Sequence, residues 1–165
     1  MKRVFIPDEN VIITAETGED DRGRTYSTSF ELLSEINFNC HALALTGTLY
    51  GKYSSHIDEL KRRKESLLPG RVMSIISNIL GNPDKDNHIL SEEDLESLPE
   101  LIGIQGIDEG DRLLVRIAVM VQDAIIVTTD GPFIAALMGS SIARNHNITI
   151  IRPEDAIDLA GPTDI

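Results

Sequence analysis

The stretch from Ile107 to Phe133 constrains what this chain can fold into more than any other. Leu114, Ile117, Ala118 and Val121 recur at the spacing of one helical face, which predicts an amphipathic helix with Asp111 in its first turn. Ala124 to Val127 follows as a continuous apolar run rich in β-branched residues, the pattern of a parallel strand covered on both faces. Asp130-Gly131-Pro132 then stops the strand. If Asp111 and Asp130 share one edge of a parallel sheet, they border the crevice where open α/β sheets bind ligands.

The remainder of the chain alternates in the same way. Val4 to Ile6 is an apolar run ended by Pro7 and Asp8, with Val11 to Ile13 following, and reads as a first, central strand. Asp8 then stands at its carboxyl end. Glu16 to Arg24 is polar and glycine-interrupted, which predicts a loop beside that edge. Thr28 or Ser29 caps a helix whose face is Phe30, Leu33 and Ile36, widened by Leu32. Ala42 to Leu45 is a second strand, and Leu49, Tyr53, Ile57 and Leu60 recur at helical spacing up to Lys61.

Pro69 suits the first position of a further helix, with Val72, Ile75, Ile76 and Ile79 on one face and Gly81 and Pro83 closing it. Asn82 to Asn87 is a loop. Ser91-Glu92-Glu93-Asp94 resembles a capping box for a short helix through Leu98, which Pro99 interrupts. Phe133 to Met138 is a short helix, Ile148 to Ile151 a strand and Pro153 to Leu159 a final helix. Strands alternating with helices predict an α/β fold, a mostly parallel central sheet flanked by helices on both faces. With 165 residues, the chain suits one domain with one core.

Composition narrows the function. Against 15 Lys and Arg stand 27 Asp and Glu, a formal charge of -12, which repels nucleic acid and anionic membrane globally. A bound divalent cation reverses that sign locally. Lys61, Arg62, Arg63 and Lys64 form one basic run, read either as a solvated helix face or as a contact for a phosphate backbone. The single cysteine, Cys40, excludes an intrachain disulfide, and no Cys/His spacing matches a zinc site. The four histidines are scattered and read as surface or packing residues. No stretch has the make-up of a signal peptide or the apolar length of a membrane span, so a cytoplasmic protein is expected.

Asp8, Asp111 and Asp130, with Asp108 nearby, come from distant parts of the chain and converge on one predicted sheet edge. Clustered carboxylates repel one another, and a shared proton or a cation relieves them. All-oxygen ligation favours Mg²⁺ or Mn²⁺. Such a site activates water and clamps a phosphodiester. Each acid also has a purely structural reading: Asp8 as a turn residue after Pro7, Asp108 or Asp111 as a helix cap, Asp130 as the turn former of Asp-Gly-Pro.

In their order and spacing these residues resemble the PIN-domain family of metal-dependent ribonucleases, which includes many toxins of toxin–antitoxin pairs. Val4 to Val11 resembles the family's opening strand, with Asp8 at its first acidic position and Asn10 two residues later. Asp111, followed by Leu114 and Ala118, resembles its acid at a helix start, with Asp108 accompanying it. Thr128-Thr129-Asp130 with Phe133 resembles its Thr-x-Asp ending. The resemblance implies a three-layer PIN-like fold and cleavage of RNA to 5′-phosphate and 3′-hydroxyl ends. It implies that Asp8, Asp111 and Asp130 hold Mg²⁺ or Mn²⁺, with Asn10, Asp108 and Thr128 in support. An antitoxin or other protein partner and a homodimer are further implications.

One position departs from the family. Lys52 stands in the run after the second strand where the family usually places an acid. A protonated lysine cannot ligate a cation. Asp108 or Glu109 then completes the acidic set, or the match slips locally, or the chain keeps the fold as a catalytically silent module that binds a protein partner or RNA.

Overall fold

The computed structural model describes residues 1–96, 98 and 104–162. Five strands form one sheet: β1 (Val4–Pro7), β2 (Ala42–Thr46), β3 (His88–Leu90), β4 (Ile125–Val127) and β5 (Thr149–Ile151). Their order is β3-β2-β1-β4-β5, and every pairing is parallel. The α/β class, the parallel sheet and the central place of β1 are as the hydrophobic pattern predicts.

Parallel strands covered on both sides need apolar residues at successive positions, because there is no solvent face to alternate with. Phe5, Ile6, Leu43, Leu45, Ile126 and Val127 meet that need and are almost completely buried. The chain leaves β1 toward β2 and β3 on one side, and later fills the other side with β4 and β5. The connections therefore reverse between β1 and β4, which opens a crevice at the carboxyl ends of those two strands.

Helices close the sheet on both sides: α1 (Glu9–Thr17), α2 (Thr28–Phe38), α3 (Gly47–Arg62), α4 (Arg71–Leu80), α5 (Glu92–Glu96), α6 (Glu109–Met120), α7 (Gly131–Met138), α8 (Ser141–Asn145) and α9 (Pro153–Leu159). α1 packs on α2, α3 and α4, and α2 on α9, as one contiguous layer. α6 covers β1, β2 and β4 and carries α5.

Several local expectations are corrected. Val11 to Ile13 lie in α1 rather than in an extension of β1, because Asp8 caps a helix directly after Pro7 through its bond to the Glu9 N–H. The loop expected at Glu16 begins later: Glu16 and Thr17 end α1, and the segment beyond is ordered by a Glu19–Thr25 bridge and by the Asp20 carboxylate, which accepts from the Arg22 and Arg24 N–H groups. Ser27, not Thr28 or Ser29, is the residue before α2; Ser29 is buried and bonded to Thr14. Pro69 stands outside α4, which starts at Arg71 behind Gly70, whose φ of 85° suits glycine. The short strand β3 and helix α8 were not foreseen. Ser91 does cap α5, accepting from the Asp94 N–H, and α5 ends at Glu96 rather than at Leu98; the interruption expected at Pro99 lies outside the described residues.

Candidate active site

Three helix starts meet at the crevice, and each is capped by an aspartate. Asp8 Oδ1 accepts from the Glu9 N–H at 2.7 Å, Asp108 Oδ1 from the Asp111 N–H at 2.8 Å, and Asp130 Oδ1 from the Phe133 N–H at 3.1 Å. Asp111 completes a capping box by accepting from the Asp108 N–H through Oδ2. Asp108 is thus the N-cap that the sequence offers and Asp111 its capping-box partner, whereas Asp8 and Asp130 cap α1 and α7 rather than serving as turn residues; none of these roles competes with a role at a site. A cap engages one carboxylate oxygen and leaves the other.

All four aspartates line one cleft of about 390 Å³, together with Glu9, Asn10, Lys52 and His56. Asp8 is the most firmly held. Its Oδ2 accepts from Thr128 Oγ1 at 2.7 Å and from Asn10 Nδ2 at 3.1 Å. Asn10 also donates to Thr128 Oγ1, and its Oδ1 accepts from the Thr129 N–H, which ties the end of β1 to the end of β4. The Thr128 hydroxyl oxygen receives the Asp130 N–H as well. Asn10 and Thr128 thus hold the Asp8 carboxylate and the backbone at the end of β4.

The carboxylates act on one another. Burial raises the Asp8 carboxyl above the ordinary carboxylate range against the bonds from Thr128 and Glu9, and the charges of Glu9 and Asp130 push it further up. Asp111 is pushed up to about 6, first by burial and then by Asp108, Asp8 and Asp130. The residues fit a hard divalent cation in donor chemistry, since every acid offers oxygen and their repulsion is what a cation relieves. Among the described residues, no group of three His, Cys, Asp or Glu side chains is already arranged to hold a metal ion. Asp8, Asp111 and Asp130 are the residues that would close on one.

Sequence reasoning passed over Glu9 and His56. Glu9 begins α1, and its carboxylate is gripped from α3, with Oε2 2.6 Å from His56 Nε2 and Oε1 3.5 Å from Lys52 Nζ. Lys52 and His56 stand four residues apart and so share one face of α3, a spacing that was available in the sequence. Tyr53, beside Lys52, is fully buried and donates its hydroxyl proton to the Pro7 carbonyl, which fixes α3 against the end of β1. Glu109 does not join the cleft: its side chain is 91% exposed and stands 3.9 Å from Arg112.

The basic run is not brought to the acids. It lies at the far end of α3, about 14 Å along the axis from Lys52 by helical rise. Arg62 and Arg63 both bind Glu59, so their charge is partly answered on their own helix, while Lys61 and Lys64 are exposed. A second cleft of about 600 Å³ adjoins the first and shares Asn10 and Ile13 with it.

No family model, curated protein or solved structure matches this chain. No helix among the described residues is long and apolar enough to cross a membrane.

Proposed function

We propose that the protein is a Mg²⁺- or Mn²⁺-dependent ribonuclease that hydrolyses RNA phosphodiester bonds at the aspartate cleft. The observation that carries this reading is the convergence of Asp8, Asp111 and Asp130 on the crevice between β1 and β4, where burial first and then the neighbouring carboxylates push Asp111 up to about 6. In this reading those three aspartates hold the cation. Asn10 and Thr128 keep the Asp8 carboxylate from turning away, and Asp108 fixes the first turn from which Asp111 projects. When bound, the ion supplies charge neutralisation and activation of water. Water adds to phosphorus, the bond to the 3′ oxygen breaks, and 5′-phosphate and 3′-hydroxyl ends result. A cytoplasmic toxin restrained by an antitoxin is the setting that the PIN-like pattern suggests, with a homodimer as the matching assembly.

The test is incubation of the purified protein with single-stranded and structured RNAs in Mn²⁺, beside Asp130→Asn. Cleavage that is abolished by a chelator and lost in the variant supports the reading. Intact RNA of every class, under conditions where a control nuclease cuts, overturns it.

A second reading is a catalytically silent module that binds a protein partner or RNA. Two observations favour it with a protein partner. Lys52 already offers a positive charge inside the cleft. The adjoining cleft is lined by Glu19, Asp20, Asp21, Glu65 and Glu154 against Arg24 and Arg152, which suits a basic protein surface better than a polyanion.

A further inference from the structure

The segment that ends α3 and leads into α4 combines two features for which the aspartate cleft has no use. Residues 59–71 hold five basic side chains, Lys61, Arg62, Arg63, Lys64 and Arg71, against two acidic ones, Glu59 and Glu65. The whole chain has 15 basic and 27 acidic residues, so this is a cationic stretch on an anionic molecule. Between the basic run and Arg71 stand Leu67 and Leu68, exposed over 65% and 49%. Among the described residues they are the only two successive large apolar side chains left exposed.

A fixed loop presents these leucines. The Leu67 N–H donates to the Glu16 carbonyl at 2.9 Å, and the Arg71 N–H donates to the Leu68 carbonyl at 3.1 Å. Leu67 lies against Gly18, the left-handed cap of α1, where a Cβ would come within 2.6 Å of Leu67 Cδ2. Glycine there serves both the backbone and the seat of the leucine. Beside them an apolar recess of about 110 Å³ opens between α1, α2 and α4, walled by Ala15, Phe30, Val72 and both leucines. Its size suits one apolar side chain. Arg62 and Arg63 share Glu59, whereas Lys61, Lys64 and Arg71 have no ion pair among the described residues.

An apolar recess with a polar rim is the anatomy of a protein interaction site rather than of a solvated helix face. The three uncommitted cations at the rim match carboxylates on a partner, and the recess matches one apolar anchor. An anionic membrane fits less well, because the recess is concave and the remaining charge of the chain opposes a charged plane. An RNA backbone would use the cations and leave the leucines and the recess empty.

We propose that the loop between α3 and α4 is a docking surface for an acidic protein segment. The segment places one leucine, methionine or phenylalanine in the recess and carboxylates against Lys61, Lys64 and Arg71. This surface is separate from the aspartate cleft, and its role holds whether or not that cleft cuts RNA.

The experiment selects a phage-displayed library of random peptides, about 12 residues long, against the wild-type chain. Enriched peptides are then measured by fluorescence anisotropy against wild type, Leu67→Asp and Arg71→Glu. Both positions are exposed, and an acid in the first turn of α4 suits the helix, so both variants keep the fold. The enriched peptides should carry Asp or Glu around an apolar anchor and bind wild type with dissociation constants on the order of 1–100 µM. Binding should weaken at least about tenfold in Leu67→Asp and roughly three- to tenfold in Arg71→Glu, and it should weaken further as salt rises. No enrichment, peptides without acids, or equal binding to all three proteins overturns the proposal. Leu67-dependent binding of phosphatidylserine vesicles or single-stranded RNA, with no such peptide, gives the face to that occupant and overturns it as well. So does a concentration-dependent dimer that is lost in Leu67→Asp, which gives the face to a second copy of this chain.

Discussion

Thr128 Oγ1 donates a 2.7 Å hydrogen bond to Asp8 Oδ2, joining residues 120 positions apart at the ends of two adjacent parallel strands. The same hydroxyl oxygen accepts from Asn10 Nδ2 and from the Asp130 N–H, so one buried threonine links Asp8, Asn10 and Asp130. Thr128→Val keeps the shape and removes the donor. It leaves a buried carboxylate oxygen and two N–H groups short of a partner and should cost about 1–3 kcal/mol. Urea unfolding measures it, and Thr128→Ser, which keeps the hydroxyl, should recover most of the loss. Equal stability of Thr128→Val and wild type would mean that the network carries no net weight.

The ion-free protein should be more stable without the Asp111 charge. Its carboxyl titrates at about 6 in the fold against 3.8 ordinarily, so as pH falls through that window the native state takes up the proton first and stability rises. At neutral pH the ionised group is a cost. Asp111→Asn keeps an oxygen to accept the Asp108 N–H and removes the charge, and it should gain about 1 kcal/mol near pH 7.5 after allowance for solvent screening. The gain should vanish toward pH 4 and below. A variant less stable than wild type at neutral pH would contradict this.

His41 works in the opposite sense. Its Nδ1 accepts from the Arg3 N–H at 3.0 Å, which leaves Nε2 to donate to the Gly161 carbonyl at 3.0 Å and fixes the neutral tautomer. Burial lowers its pKa below 6.5, so on acidification the unfolded chain takes the proton first and stability falls. This part of the pH profile should disappear in His41→Gln. Parallel profiles of the two proteins between about pH 6.5 and 5 would refute the assignment.

Gly110→Ala separates room for a ligand from support of the helix. An alanine in the first turn of α6 adds up to about 1 kcal/mol of helix preference, which is kept only as far as the Asp108 cap oxygen, 3.3 Å from the new Cβ, can shift; the Cβ also narrows the space beside Lys52. RNA cleavage should fall at least about tenfold, which corresponds to about 1.4 kcal/mol in the barrier. Full activity in the variant would show that the gap has no functional use.

What was legible in the sequence, and what was not, follows from the kind of signal each element leaves. Ala124 to Val127 could be read because a doubly covered strand needs an unbroken apolar run, and Asp130 could be placed because that run ends three residues before it. β3 left no such run: it is an edge strand with Ile89 60% exposed and His88 at its start. Val11 to Ile13 have the composition of a strand, yet packing of α1 on its neighbours and the Asp8 cap override that preference. The same error hid Glu9. Read as strand, it has no fixed partner; read as the first residue of a helix, it faces α3 and meets Lys52 and His56. The aspartates were legible as a group because cap and candidate ligand are one residue type placed at helix starts, two of which, those at Asp8 and Asp130, follow a strand's carboxyl end.

The central claim is that Asp8, Asp111 and Asp130 form a divalent-cation site, and thermal unfolding with and without millimolar Mn²⁺ tests it directly in wild type and Asp130→Asn. An ion held with a dissociation constant near 10 µM would stabilise the native wild type by about 2.7 kcal/mol at a hundredfold excess, and its Tm should rise by roughly 5–10 °C. Asp130→Asn should show little or none of that rise. An equal rise in both proteins, or no rise in the wild type, would contradict the account.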